Sequence, residues 1–330
     1  MYELIASNKR KSWVVFIAMG LLLIGIGAGA GYILGQEEGI IIGIAIAAVV
    51  WIIQAAVALG AGSQVVLQGL NAQSIESKDD PELYNIIEEL SMGAGVAMPK
   101  IYIIPTPALN AFAAGTKKNK SIVAITSGLR GKLSRPEIQA VMAHEMSHIY
   151  NRDVLYLTFA SVMLCTIVIV SDLLMRYFFW GGGGRRNNNR NSSGGNNGYA
   201  QLIIWIVVIA LAILAPLFAR LFYFSLSRKR EYLADVQAVN FTRDPDALAN
   251  ALEKISGDHT EFNPGKMAAA MCINVPKSHK TSAFSTHPPI AKRIAILRAM
   301  SHGTDYQTYC KAYEQIIGKN DLPKPKKSKK

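Results

Sequence analysis

From Trp13 to Gly60 the chain holds only two charged residues, Glu37 and Glu38, and these lie side by side between two apolar runs, Trp13 to Gly35 and Gly39 to Gly60. No other feature narrows the fold as much. About 20 apolar residues cross the hydrocarbon of a bilayer as a helix, and lipid offers no partner for a bare backbone N–H or C=O. The two runs therefore read as a transmembrane hairpin. A third run extends from Val154 to Met175 with Asp172 near its end, and a fourth from Tyr199 to about Ser225 with Pro216 as a kink. About four transmembrane helices are expected.

Charge orients these spans. Lys9, Arg10 and Lys11 precede the first run, and Arg152, Arg228, Lys229 and Arg230 flank the later ones, which favours a cytoplasmic amino terminus. A first span this long, followed at once by another, is not a cleavable signal peptide. Arg176, Arg185, Arg186 and Arg190 disagree: they fall between the third and fourth runs, on the side that should be poor in positive charge, so a shallow or re-entrant second hairpin stays open. The Gly- and Asn-rich stretch from Trp180 to Gly198 has no apolar pattern to bury and is expected to be a flexible loop. The basic tail, Lys324 to Lys330, is either solvated or drawn to an anionic leaflet. Juxtamembrane and terminal clusters thus account for the net charge of +12, and no aromatics interleave with the arginines, so nucleic acid is not an expected partner. Cys165, Cys272 and Cys310 are odd in number and far apart, which argues for reduced thiols.

Between the second and third runs stands His144-Glu145-Met146-Ser147-His148. Upstream, Ser134-Arg135-Pro136-Glu137 has capping-box spacing, and Ile138, Val141, Met142 and Met146 follow at helical intervals, so the five residues lie on one helix. Two imidazoles four residues apart then share a face about one turn apart, close enough to bind one metal ion, with Glu145 beside them as a base for water. A catalytic zinc usually takes three protein ligands. In Glu231-Tyr232-Leu233-Ala234-Asp235, a helix puts Glu231 and Asp235 on one face, which alone fits a solvated surface equally well. Beside the histidine pair, Glu231 reads as the third zinc ligand. Asp235 then accepts a hydrogen bond from the non-ligating nitrogen of a zinc histidine, His144 being the choice. The histidines precede the third run and Glu231 follows the fourth, so an even number of crossings must separate them.

Zinc-dependent hydrolysis is the leading reading, with one Zn2+ per chain. The alternative is a non-catalytic membrane scaffold holding structural zinc, which would have no need of Glu145. Burial of the histidine helix inside the bilayer is disfavoured by Arg135, Glu137 and Arg152 around it.

The intervening sequence predicts a small sheet. Asp80-Pro81-Glu82 opens a helix through about Leu90, after which Ile101 to Ile104, Asn110 to Gly115 and Ser121 to Ile125 read as strands, the last two joined by Lys117-Lys118-Asn119-Lys120. A sheet edge beside the metal can bind a peptide as an added strand, and Asn110, Ala111, Phe112 and Ala113 are the candidate edge; an ordinary core strand would look the same. Asp244-Pro245-Asp246 opens a helix through about Ser256, residues 257–284 are less regular, and Thr286-His287-Pro288-Pro289 opens a helix carrying Arg293. His287 is either a simple cap or surface residue, or else His287 or Arg293 donates to the oxyanion of the reaction.

The ordered set Asn110-Ala111-Phe112-Ala113-Ala114-Gly115, His144-Glu145-Met146-Ser147-His148, Glu231-Tyr232-Leu233-Ala234-Asp235 and Thr286-His287-Pro288, flanked by hydrophobic spans, resembles the HtpX-type membrane zinc metallopeptidases, which are related to the CAAX prenyl proteases. The resemblance implies an α+β protein, mainly helical, with a zincin-like (gluzincin-type) catalytic domain carrying the small sheet. It also implies an endopeptidase of the bacterial inner membrane, its catalytic domain facing the cytoplasm, that removes misfolded or damaged membrane proteins in quality control and stress response. It strengthens the oxyanion role of the His287 and Arg293 region. The expected organisation is a cytoplasmic terminus over 1–12, a hairpin over 13–60, a first protease segment over 61–153, a second hydrophobic hairpin over 154–225, a second protease segment over 226–318, and a basic tail over 319–330. Polypeptides and the lipid bilayer are the expected partners, and the oligomeric state is left open.

Overall fold

The first two apolar runs form α1 (Tyr2–Leu67), which breaks at Gly35 and Gln36, the latter in left-handed conformation with φ 53°. The computed structural model describes residues 2–67, 70–115, 121–151, 153–176, 197–262, 288–300, 303–319 and 322. A Cβ on Gly31 would overlap the Gly39 carbonyl, and one on Gly27 the Gly43 carbonyl, so the two arms of α1 run back to back at backbone contact. The outer face of the second arm keeps Ile41, Ile42, Ile46, Val49, Ile52 and Ile53 exposed, a surface suited to lipid. The segments Phe16–Ile33 and Gly35–Val57 are each long and apolar enough to cross a membrane.

The third and fourth runs are also helical, in α5 (Asp153–Arg176) and α6 (Asn197–Thr242), the latter with Pro216 inside it. Among the described residues only the two arms of α1 pass the length and hydropathy test for a span, so the expected count of four is not reached by that test. The expected loop at 180–198 falls outside the described residues except at its end, where α6 begins at Asn197. Trp13–Val57 and Val162–Tyr223 form one compact unit, in which the Gln54 side-chain amide donates to Thr166 Oγ1.

The other unit comprises Met1–Ser12, Ala58–Ser161 and Phe224–Lys330. Its sheet has the order β1 (Gln73–Ile75), β2 (Lys100–Ile104), β4 (Ser121–Thr126), β3 (Ala111–Gly115). β2 and β4 run parallel, and the outer pairs are antiparallel. Three strands stand where short runs rich in apolar residues predict them. β1, three residues long, is too short to show a period.

Helices close the core around this sheet. Asp80 caps α2 (Pro81–Ala94), accepting from the Leu83 N–H, and Asp244 caps α7 (Pro245–Ser256), accepting from the Ala247 N–H. Thr126, the last residue of β4, caps the short α3 (Ser127–Lys132) through the Leu129 N–H. At the start of α4 (Arg135–Tyr150) Ser134 and Glu137 pair as a cap: the Glu137 carboxylate accepts from the Ser134 N–H at 2.7 Å and from the Ser134 hydroxyl. Lys254 of α7 also reaches Glu137, tying the two helices together. Two further helices follow, α8 (Ile290–Arg298) and α9 (Tyr306–Ile317), the second of them not foreseen. Ile86, Leu90, Phe112, Ile125, Met142 and Leu252 meet in the apolar core.

Candidate active site

α4 runs through the core, packed against α2, α7, β3 and β4, and Ala140 through Ile149 are buried without interruption. A helix enclosed on all sides needs no polar face, yet this one carries Glu137, His144, Glu145, Ser147 and His148. Buried polar side chains need partners. Ser147 Oγ donates to the Ala143 carbonyl one turn back, and the two histidines meet α6.

The rings of His144 and His148 are 5.0 Å apart and nearly perpendicular. Between them reaches Glu231 of α6, with His144 Nε2 3.5 Å from one carboxylate oxygen and His148 Nε2 3.5 Å from the other. One ligand atom from each of the three lies within 4.8 Å of the others. Ligand atoms in a tetrahedral zinc site, each at about 2.0–2.1 Å from the metal, are about 3.4 Å apart. The donor set and its spacing fit a zinc ion. Glu145 lies between the histidines on the same helix and is 3 % exposed.

One helical turn beyond Glu231, Asp235 Oδ1 is 3.0 Å from His144 Nδ1, the pairing that helical spacing predicts. α8 supplies Arg293, 1 % exposed, whose Nε and Nη2 donate to the two oxygens of Asp235 at 2.8 and 2.6 Å. Its Nη1 lies 3.5 Å from Glu231. Sequence reasoning offered His287 or Arg293 as the donor to the oxyanion; in the fold Nε and Nη2 of Arg293 are engaged by Asp235, a buried cation facing a buried anion, while Nη1 makes no hydrogen bond among the described residues. His287 lies outside the described residues. Burial raises the Asp235 carboxyl, and the Arg293 charge together with His144 outweighs it, holding the pKa below the usual range. Burial and Arg293 both depress His144, but the hydrogen bonds with Asp235 and Glu231 prevail and hold its pKa up at about 9. Tyr309 of α9 is fully buried, and burial with the nearby Asp235 charge pushes its phenol well above its ordinary value.

A second carboxylate went unread in the sequence. Asp153, at the start of α5, has Oδ2 3.6 Å from His148 Nδ1 and Oδ1 3.6 Å from Nη1 of Arg230. The available signal was a lone acid at the mouth of an apolar run, five residues past His148.

β3 is the edge strand on the side of β4 and packs against α4. The Thr126 N–H donates to the Asn110 carbonyl, so in this register Asn110, Phe112 and Ala114 turn their backbone toward β4 while Ala111, Ala113 and Gly115 turn theirs outward. The outward N–H of Ala111 is already taken by Asn110 Oδ1.

Residues 77–301, which include His144, Glu145, His148, Glu231, Asp235 and Arg293, match peptidase family M48. The chain belongs to that family. This M48 peptidase is 40% identical over 305 residues to "Protease HtpX homolog" of Listeria monocytogenes serovar 1/2a, covering 91% of its own length and 100% of the relative. It is 40% identical over 304 residues to the protein of the same name from Ligilactobacillus salivarius, and 39% over 303 residues to that from Streptococcus uberis, with the same coverage. Among solved structures, that of S. mikatae Ste24p aligns with a TM-score of 0.49 at 19% identity, over 90% of this chain and 67% of the other. Membership makes the M48 chain a metalloprotease, hence a hydrolase, and with its two apolar N-terminal helices a membrane protein.

Proposed function

We propose that this M48 peptidase is a zinc-dependent endopeptidase that cleaves misfolded or damaged membrane proteins at the cytoplasmic face of a bacterial inner membrane. One observation carries the reading: His144, His148 and Glu231, all buried, present three ligand atoms within 4.8 Å beside Glu145. Zinc held there would supply an activated water and polarise a peptide carbonyl. Glu145 takes the proton from water and passes it to the leaving amine. Asp235 accepts from His144 Nδ1, which turns Nε2 toward the metal and Glu231, and Arg293 holds Asp235 in place. The oxyanion is assigned to the His287 and Arg293 region.

Substrate enters as an added strand along β3. The Ala111 N–H is engaged, so pairing centres on the outward backbone of Ala113, with Asn110 and Phe112 holding the strand from inside. The cytoplasmic assignment rests on Lys9, Arg10 and Lys11 before the first span, and on residues 154–225 crossing twice, an even number.

The test is zinc content and cleavage of an unfolded model protein, measured together on detergent-purified wild type and Glu145→Gln. Zinc near one per chain in both, with cleavage in the wild type alone, is the expected result. Equal cleavage by the two, or no bound metal in the wild type, would remove the mechanism.

A further inference from the structure

His144 has a carboxylate behind its non-ligating nitrogen, and that carboxylate has an arginine behind it. The second histidine has the same arrangement, assembled from different elements. His148 Nδ1 is buried and makes no hydrogen bond within normal reach, and the carboxylate facing it at 3.6 Å is that of Asp153. Asp153 is 2 % exposed, and its other oxygen faces Arg230, 3 % exposed, the residue immediately before Glu231. We propose that Asp153, held by Arg230, is the positioning residue that fixes the tautomer and ring orientation of His148 for the metal. The inference rests on the zinc reading and extends it.

The physical case has three parts. An imidazole whose Nε2 points at Glu231 must carry its N–H on Nδ1 when it ligates through Nε2, and a buried N–H without an acceptor costs about 1–3 kcal/mol. A buried aspartate is itself costly unless paired, so Asp153 needs both the N–H of His148 and the guanidinium of Arg230. The third part is placement: α4 ends at Tyr150 and α5 starts at Asp153, so the turn between them returns the chain beside His148 while Arg230 arrives from α6. Arg230 and Glu231 being adjacent, the segment that delivers the third ligand also delivers the clamp on Asp153.

The experiment is a competition titration of zinc against a chelator on the detergent-purified full-length chain, with the absorption spectrum of the cobalt-substituted protein as a second readout. Asp153→Asn is expected to fold, to bind zinc about 10- to 100-fold more weakly, and to shift the cobalt bands. Lys254→Met, which breaks the part-buried tie to Glu137 away from the metal, is expected to leave zinc affinity unaltered, separating orientation from general destabilisation. Zinc affinity of Asp153→Asn within twofold of wild type, with an unshifted cobalt spectrum, overturns the proposal. Should Asp153→Asn not accumulate as folded protein, Arg230→Gln decides in the same way, since it leaves the carboxylate present but unheld. His148→Ala separates the two levels of inference: if it binds zinc like the wild type, the ligand assignment itself fails, whereas loss in His148→Ala without loss in Asp153→Asn removes only the role of Asp153.

Discussion

His144 owes its orientation to residues far away in the chain, and the stability of that arrangement depends on the buried pair of Asp235 and Arg293. Removing one member of a buried ion pair leaves the other uncompensated, at a cost of about 3–5 kcal/mol. Arg293→Met should therefore lower the unfolding free energy obtained from denaturant titration by about that much; an unchanged unfolding free energy would mean that Asp235 is satisfied without it. Arg298, on the same helix, pairs at the surface with Asp246 and Glu253, and Arg298→Ala should cost less than about 1 kcal/mol in the same assay. Asp80 is one residue through which acid acts. Hydrogen bonding from Arg130 holds its carboxyl below the usual range in spite of partial burial, with the Leu83 N–H adding to the effect. A carboxyl depressed in the folded state stabilises it at pH values above the unfolded pKa of about 3.9, and that contribution disappears as pH falls through the lower folded value. In acid titrations monitored by circular dichroism, Asp80→Asn should lose part of the wild-type dependence of stability on pH below about 4; an identical profile would exclude Asp80 as a source.

At the scale of elements, the hairpin within α1 is set by glycine. Gly27 and Gly31 on one arm meet Gly43 and Gly39 on the other with no room for a side chain, so Gly31→Leu should force the arms apart. The expected readout is loss of folded protein from detergent extracts and increased protease sensitivity between the arms, whereas Gly25→Leu, which meets nothing nearby, should be tolerated. The edge strand makes a different prediction. Ala113→Pro deletes an outward N–H on an edge, where proline is tolerated, so the protein should fold and hold metal while peptide cleavage falls at least tenfold. Cleavage at the wild-type rate would move substrate binding off β3. The helices that open on Asp-Pro, α2 and α7, were legible because cap and first-turn chemistry is local. β1, α3 and α9 were not, since short elements and a helix whose burial is contributed by distant partners leave little periodic signal.

For the whole molecule, the open matter is topology. The family match covers 77–301, beyond the hairpin. Single cysteines introduced at Glu37 and at Arg185, after replacement of Cys165, Cys272 and Cys310, should both react with a membrane-impermeant thiol reagent added outside intact cells if residues 154–225 cross twice. Labelling at position 37 but not at 185 would make the second hydrophobic segment re-entrant and account for its misplaced arginines.

What could be read without coordinates was the chemistry that spacing alone imposes: a one-turn separation makes His144 and His148 neighbours, and likewise Glu231 and Asp235, whatever surrounds them. The lipid-length runs of α1 belong to the same class, because bilayer thickness and backbone hydrogen bonding admit few other structures. Tertiary structure decided what joins across distance. Arg293 was legible as a candidate donor to the oxyanion but not as the partner of Asp235, 58 positions earlier, and nothing local joined Asp153 to Arg230. Pairing of buried charges is settled by which helices converge, and convergence depends on the packing of the whole core, which no single stretch of sequence encodes.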